Sequence, residues 1–163
     1  MISLRFAVKS FVVLLFAYAA LSAAAQMPNP YGLAISLDNA KKAAAPALAA
    51  ARKNNWTMAV AIVDTAGNLV YFEKLDGTQN GSVNVSINKA RSAALFKRPT
   101  KLFFDQLAAG GEGLRLLKVQ GAVPLEGGVP LLLEGKIIGA IGVSGGTSAQ
   151  DGQAARAGAE GFK

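Results

Sequence analysis

The chain has 163 residues, contains neither cysteine nor histidine, and carries a formal charge of +7 from 17 Lys and Arg against 10 Asp and Glu. Those absences exclude a disulfide framework, a thiol nucleophile, thiolate or imidazole metal sites, a Ser-His-Asp relay and a proximal imidazole on haem. The cations are scattered rather than gathered into a run interleaved with aromatics, which speaks against a nucleic-acid partner, and any chemistry must rest on carboxylates, Lys, Arg, Tyr or hydroxyls.

In chain order, residues 1–25 read as a signal peptide. Arg5 and Lys9 make a positive start, Phe11 to Leu21 is an apolar run short for a bilayer, and Ala23-Ala24-Ala25 supplies the small-residue cleavage site. The working chain then begins at Gln26 in the periplasm or outside the cell, at a charge of +5 once Arg5 and Lys9 are set aside, with no stable membrane insertion. Residues 26–35 hold Pro28, Pro30 and Gly32 and read as an irregular lead-in, and residues 36–163 form one domain.

From Ser36, Leu37, Ala40, Ala44, Leu48 and Ala51 recur at helical spacing, and Pro46 predicts a kink or break near Ala43 to Pro46. Trp56 to Val63 and Leu69 to Glu73 read as a hairpin around an Asx-type turn at Asp64. A loop with Asp76-Gly77 follows. Ser82 to Phe96 predicts a helix with Val83, Ile87, Ala90 and Ala94 on its apolar face, closed by Pro99, and Thr100 starts a short helix that stops at Gly110-Gly111. Gly113 to Val119 reads equally as strand or helical turn. The Asn-x-Ser/Thr triplets at Asn55, Asn80 and Asn84 are read as coincidental, because the short Ala-rich leader has a bacterial character.

The most informative stretch is Gly121 to Gly146. Leu131 to Leu133 and Ile137 to Val143 predict a second hairpin, in which Gly139 and Gly142 leave the strand nearly bare and imply close approach of a backbone or a ligand. Ser148 with Asp151 reads as the cap of a final helix over Ala149 to Ala159, and the Ser144 to Thr147 backbone, Gly145 and Gly146 included, reads as an anion cradle at its start. Helix, hairpin, helices, hairpin, helix predicts an antiparallel sheet flanked by helices.

Taken together, AVAIVDTAGN at Ala59 to Asn68, LDGT at Leu75 to Thr78, NKARSAALFKRPT at Asn88 to Thr100, EGGVP at Glu126 to Pro130 and GKIIGAIGVSGG at Gly135 to Gly146 resemble the GlcG/HbpS-like haem-binding family. The resemblance implies a single α/β (α+β) domain in a profilin-like layout, with a central antiparallel sheet of about five strands and helices on both faces. It implies a homo-oligomer, often an octamer, and for secreted members haem binding with slow haem breakdown and an iron- or redox-handling role. Carried over to this sequence, it makes Thr100 a ligand of haem iron, with Arg98, Lys97 and Lys101 as partners for the propionates. A helix-cap role for Thr100 competes with this. Tyr71, Met58 and Lys89 are further ligand candidates. Two other readings stand beside haem: an enzyme or binding protein for a small organic acid or aromatic catabolite, using Glu126 or Asp76 as a base, and a structural oligomer with no ligand.

Overall fold

Two hairpins build the sheet, because each pairs apolar alternating runs across a tight polar turn. The computed structural model describes residues 29–162, and the expected signal peptide lies outside them. Helix α1 (Leu37–Lys53) is followed by β1 (Ala59–Asp64), β2 (Leu69–Lys74), α2 (Gly81–Leu95), α3 (Lys101–Ala108), a 3-10 segment (Gly111–Lys118), β3 (Gly128–Leu133), β4 (Lys136–Ser144) and α4 (Ser148–Gly161). The strands lie in the order β2-β1-β4-β3, every neighbour antiparallel.

The sheet has four strands rather than about five. What approaches a fifth is the lead-in, which is ordered where described. β1 ends with Asp64 opposite Gly139, leaving the earlier part of β4 open on that edge. Tyr31 bridges Ile137 in parallel there, the Gly32 amide donates to the Ile137 carbonyl at 2.8 Å, and the Ile35 amide to the Ile138 carbonyl at 2.8 Å. At the turn into β2, Asp64 Oδ1 accepts from the amides of Ala66 and Asn68 at 2.9 and 2.8 Å, which is the Asx-type turn its position predicts.

Helices cover both faces. On one, the small residues Ala40, Ala43, Ala44, Ala47 and Ala51 of α1 meet Ala154 and Ala155 of α4 over Val60, Ile62, Ile141 and Val143, all buried. Pro46 does not break α1, which runs on through 17 residues. Gly161 leaves room for the Pro46 ring. On the other face, Ala90, Ala93 and Ala94 of α2 pack on Val63 and Ala140. The buried residues of α2 are Ser82, Ser86, Lys89, Ala90, Ser92, Ala93 and Ala94, so Ala90 and Ala94 face inward as predicted whereas Val83 and Ile87 are only half-buried. Small side chains win that face because the backbone of α2 lies directly on β4. A Cβ at Gly142 would collide with the Ser86 carbonyl and stand 2.5 Å from the Ala90 amide.

That contact decides between the two readings of the bare strand, in favour of a close backbone rather than a ligand. Helix α2 fills the space at Gly142, and at Gly139 the Val63 carbonyl and Ile35 do the same. The α4 cap also moves by one residue, to Thr147, whose hydroxyl accepts from the Gln150 amide while Gln150 Oε1 accepts from the Thr147 amide at 2.9 Å.

Candidate functional site

The EGG segment at Glu126 to Gly128 is where the two helical layers communicate. Lys89 of α2 is 2 % exposed, and its ammonium donates to Asp151 Oδ2 of α4 at 2.7 Å and to the Val143 carbonyl at 3.1 Å. The pair meets beside Gly127, where a Cβ would stand 3.0 Å from both Lys89 Nζ and Asp151 Cβ and 2.6 Å from the Val143 carbonyl. Only glycine leaves that passage open. Burial pushes the Asp151 carboxyl above the usual carboxylate range, with Lys89 and the Gly146 and Gly145 amides pulling the other way.

The organic-acid reading needed open amides at the start of α4, and the protein's own side chains take those of Gly146 and Thr147. Asp151 Oδ1 accepts from the Gly146 amide at 2.9 Å, and Gln150 from that of Thr147. A Cβ at Gly145 would collide with the Thr57 carbonyl. Asp76 stands exposed on the turn beside Thr57, at this end of the sheet. Glu126 is buried against α4, where Arg156 donates to its Oε1 at 2.6 Å and Gly152 makes way for it. Glu126 is thus held in an ion pair, apart from the exposed turn that carries Asp76.

Thr100 is fully buried, and its hydroxyl is spent on the backbone. It donates to the Leu125 carbonyl at 2.6 Å and accepts from the Gly128 amide at 2.9 Å, while the Thr100 amide donates to the Gly128 carbonyl at 3.0 Å. The residue plugs the outer edge of β3 and makes no side-chain cap on α3. Thr100 thus takes the N-cap position of α3 with its backbone carbonyl, while its hydroxyl is held by Leu125 and Gly128 rather than left free for iron. The cations expected around it point elsewhere: Lys97 lies over the Tyr31 ring at 4.1 Å, Arg98 over Phe103 at 5.7 Å, and Lys101 pairs with Asp105 at 2.7 Å on the surface. The other ligand candidates are engaged as well, Met58 fully buried, Tyr71 donating to Glu73 Oε2 at 2.7 Å, and Lys89 in its buried pair.

Sequence reading missed the open surface. Helix α3 and the 3-10 segment fold back on each other as an arm, with Gly110 and Gly111 at φ 69° and 53° making the turn. A Cβ at Gly113 would collide with the Gln106 carbonyl, so the two halves touch backbone to backbone. Phe103 alone of the arm's residues is buried. Between the halves runs a groove of about 450 Å³, lined by Gln106, Ala109, Glu112, Arg115, Leu116 and Val119. Its outer wall shows Leu114 and Leu117, 55 % and 65 % exposed, in one row, and Arg115 and Lys118 in the next, because residues three apart eclipse in a 3-10 turn. The repeat of Leu and of basic residues at that spacing in GEGLRLLK was the available signal.

A four-stranded antiparallel sheet between helical layers, sealed by glycine contacts and a buried Lys-Asp pair, defines a small single-domain α+β class of protein. The chain belongs to the HbpS-like family of haem degrading proteins, whose model matches residues 35–160. It is 38% identical to an uncharacterised 15.0 kDa protein from the dhaT-dhaS intergenic region of Citrobacter freundii, over 72% of this chain and 84% of that one. It is 38% identical to Protein GlcG of Escherichia coli over 58% of this chain and 69% of GlcG. Among solved structures it resembles Klebsiella pneumoniae ORFY with a TM-score of 0.73 at 30% identity, covering 84% and 96% of the two chains. The Streptomyces reticuli HbpS double mutant follows at a TM-score of 0.72 and 33% identity, covering 79% and 87%.

Proposed function

We propose that this chain is an exported haem-binding protein, acting in the periplasm or outside the cell, that seats the porphyrin on the arm. The observation that carries the reading is the match of residues 35–160 to a family described as haem degrading, in a chain with an open groove that mixes Ala109, Leu116 and Val119 with Arg115 and Glu112. A porphyrin is a flat apolar disc with two carboxylates. Ala109, Leu116 and Val119 suit the disc, and Arg115, whose contact with Glu112 is exposed and exchangeable, suits a carboxylate. The interior does not suit the group, since Thr100 and the start of α4 are already satisfied. No residue is assigned to the iron, and haem degradation comes to the reading only with the family's description. Exported protein, purified without haem, is expected to give a shifted Soret band on titration with hemin at micromolar concentration. An unchanged free-hemin spectrum would end the proposal.

A further inference from the structure

Proteins ordinarily grip haem through its iron, with a His, Cys, Met or Tyr side chain on the metal. This chain has no His and no Cys. Among the described residues, the remaining side chains of that kind are engaged away from the arm. Met58 is fully buried in the core. The Tyr31 hydroxyl donates to the Ala94 carbonyl at 2.9 Å, and the Tyr71 hydroxyl donates to Glu73 Oε2 at 2.7 Å.

The groove itself offers a metal little. Its polar side chains are Gln106, Glu112 and Arg115, beside the apolar Ala109, Leu116 and Val119. A guanidinium carries no acceptor lone pair, and Gln106 brings only a neutral amide, which leaves Glu112 as the one ionised oxygen donor on the lining. Residues three apart eclipse in a 3-10 turn, and Glu112 Oε1 accordingly faces Arg115 Nη1 at 3.3 Å. The side chains of that pair are 86% and 79% exposed, and an ion pair so open to water contributes little of its own. A carboxylate arriving with a ligand competes with Glu112 for the same cation.

We infer that the arm recognises a porphyrin by its flat face and its carboxylate and leaves the metal without a ligand from this chain. The class of ligand is then tetrapyrrole carboxylates with or without iron, and Glu112 tunes their affinity by competing for Arg115. The inference rests on the haem reading for the kind of ring that binds, and goes beyond it in making the iron dispensable.

The test is titration of the exported protein, purified without haem, with hemin, read by the Soret band, and with metal-free protoporphyrin IX, read by fluorescence. Wild type, Arg115→Gln and Glu112→Gln are compared, and equal melting temperatures establish that the variants, both at exposed positions, fold. Wild type is expected to take up both porphyrins with affinities within about fivefold of each other. Arg115→Gln is expected to weaken both alike, by about tenfold, through loss of the charge-assisted bond. Glu112→Gln, which frees Arg115, tightens both. A preference of the wild type for hemin beyond about fivefold overturns the inference and leaves the haem reading standing, and its disappearance in Glu112→Gln would name that carboxylate as the iron's ligand. Equal affinities that neither substitution moves also overturn it, since the ring is then held off the arm. Uptake of neither porphyrin overturns the haem reading and the inference with it.

Discussion

Lys89 and Asp151 meet at 2.7 Å from helices on opposite faces of the sheet, through the gap that Gly127 leaves. Removing one partner of a buried pair strands the other charge, at a cost of about 3–5 kcal/mol. Lys89→Met is therefore expected to lower stability by that order in chemical denaturation at neutral pH. Its pH dependence has a definite sign. The Asp151 carboxyl already sits high, and without Lys89 it rises further. A carboxyl raised in the folded state favours folding below its unfolded value and loses that advantage as pH rises through the folded one, so the variant regains stability as pH falls from neutral. Adding Asp151→Asn removes the stranded charge while keeping an acceptor for the Gly146 amide, and most of the loss is expected to be recovered at pH 7.

Gly142 tests whether helix contact, rather than ligand contact, explains the bare strand. Ala at this position drives a methyl group into the Ser86 carbonyl and the Ala90 amide. Overpacking against backbone costs about 1–3 kcal/mol. Gly142→Ala is expected to lower the melting temperature without changing the hemin affinity of the remaining folded protein.

The fold was legible wherever period and turn chemistry agreed. Asp64, Gly67 and Asn68 announced the first hairpin, Glu134-Gly135 the second, and the glycines at 139 and 142 announced close approach, although not of what. Part of the buried side of α2 was hidden because serines and a lysine occupy it. Ser82, Ser86, Lys89 and Ala93 do repeat at helical spacing, but a charged residue in that row reads as a surface face until its partner, 62 residues away, is known. The site was hidden for a related reason. Thr100 follows a proline and takes the N-cap position of α3, as the sequence suggests, but the partner of its hydroxyl depends on a strand 28 residues on.

Thr100→Val separates the hydroxyl's bonds to Leu125 and Gly128 from the role of iron ligand. It keeps the shape but leaves the Leu125 carbonyl and the Gly128 amide unmatched in the interior, at about 1–3 kcal/mol for each buried group so abandoned. The expected outcome is a clear loss in denaturant midpoint with an unchanged Soret titration at a temperature where the variant is folded. A folded variant that no longer binds hemin would restore Thr100 as the ligand.

Asp64 sets the acid limb of stability. Burial pushes its carboxyl up, but hydrogen bonds from Asn68, Ala66 and Gly67 outweigh this and hold it below the usual range. A depressed carboxyl contributes stability above its unfolded value and loses it as pH falls through the folded one. Thermal melts of the wild type between about pH 5 and pH 2.5 are expected to fall more steeply than those of Asp64→Asn, which starts lower and has no such group to titrate.

Iron anomalous scattering from crystals grown with hemin locates the metal directly. The proposed seating of the porphyrin puts the iron peak on the arm, along the groove lined by Ala109, Leu116 and Val119. A peak at the Thr100 hydroxyl, or at the amides of Ser144 to Thr147, would contradict the account, because both would have to be opened first.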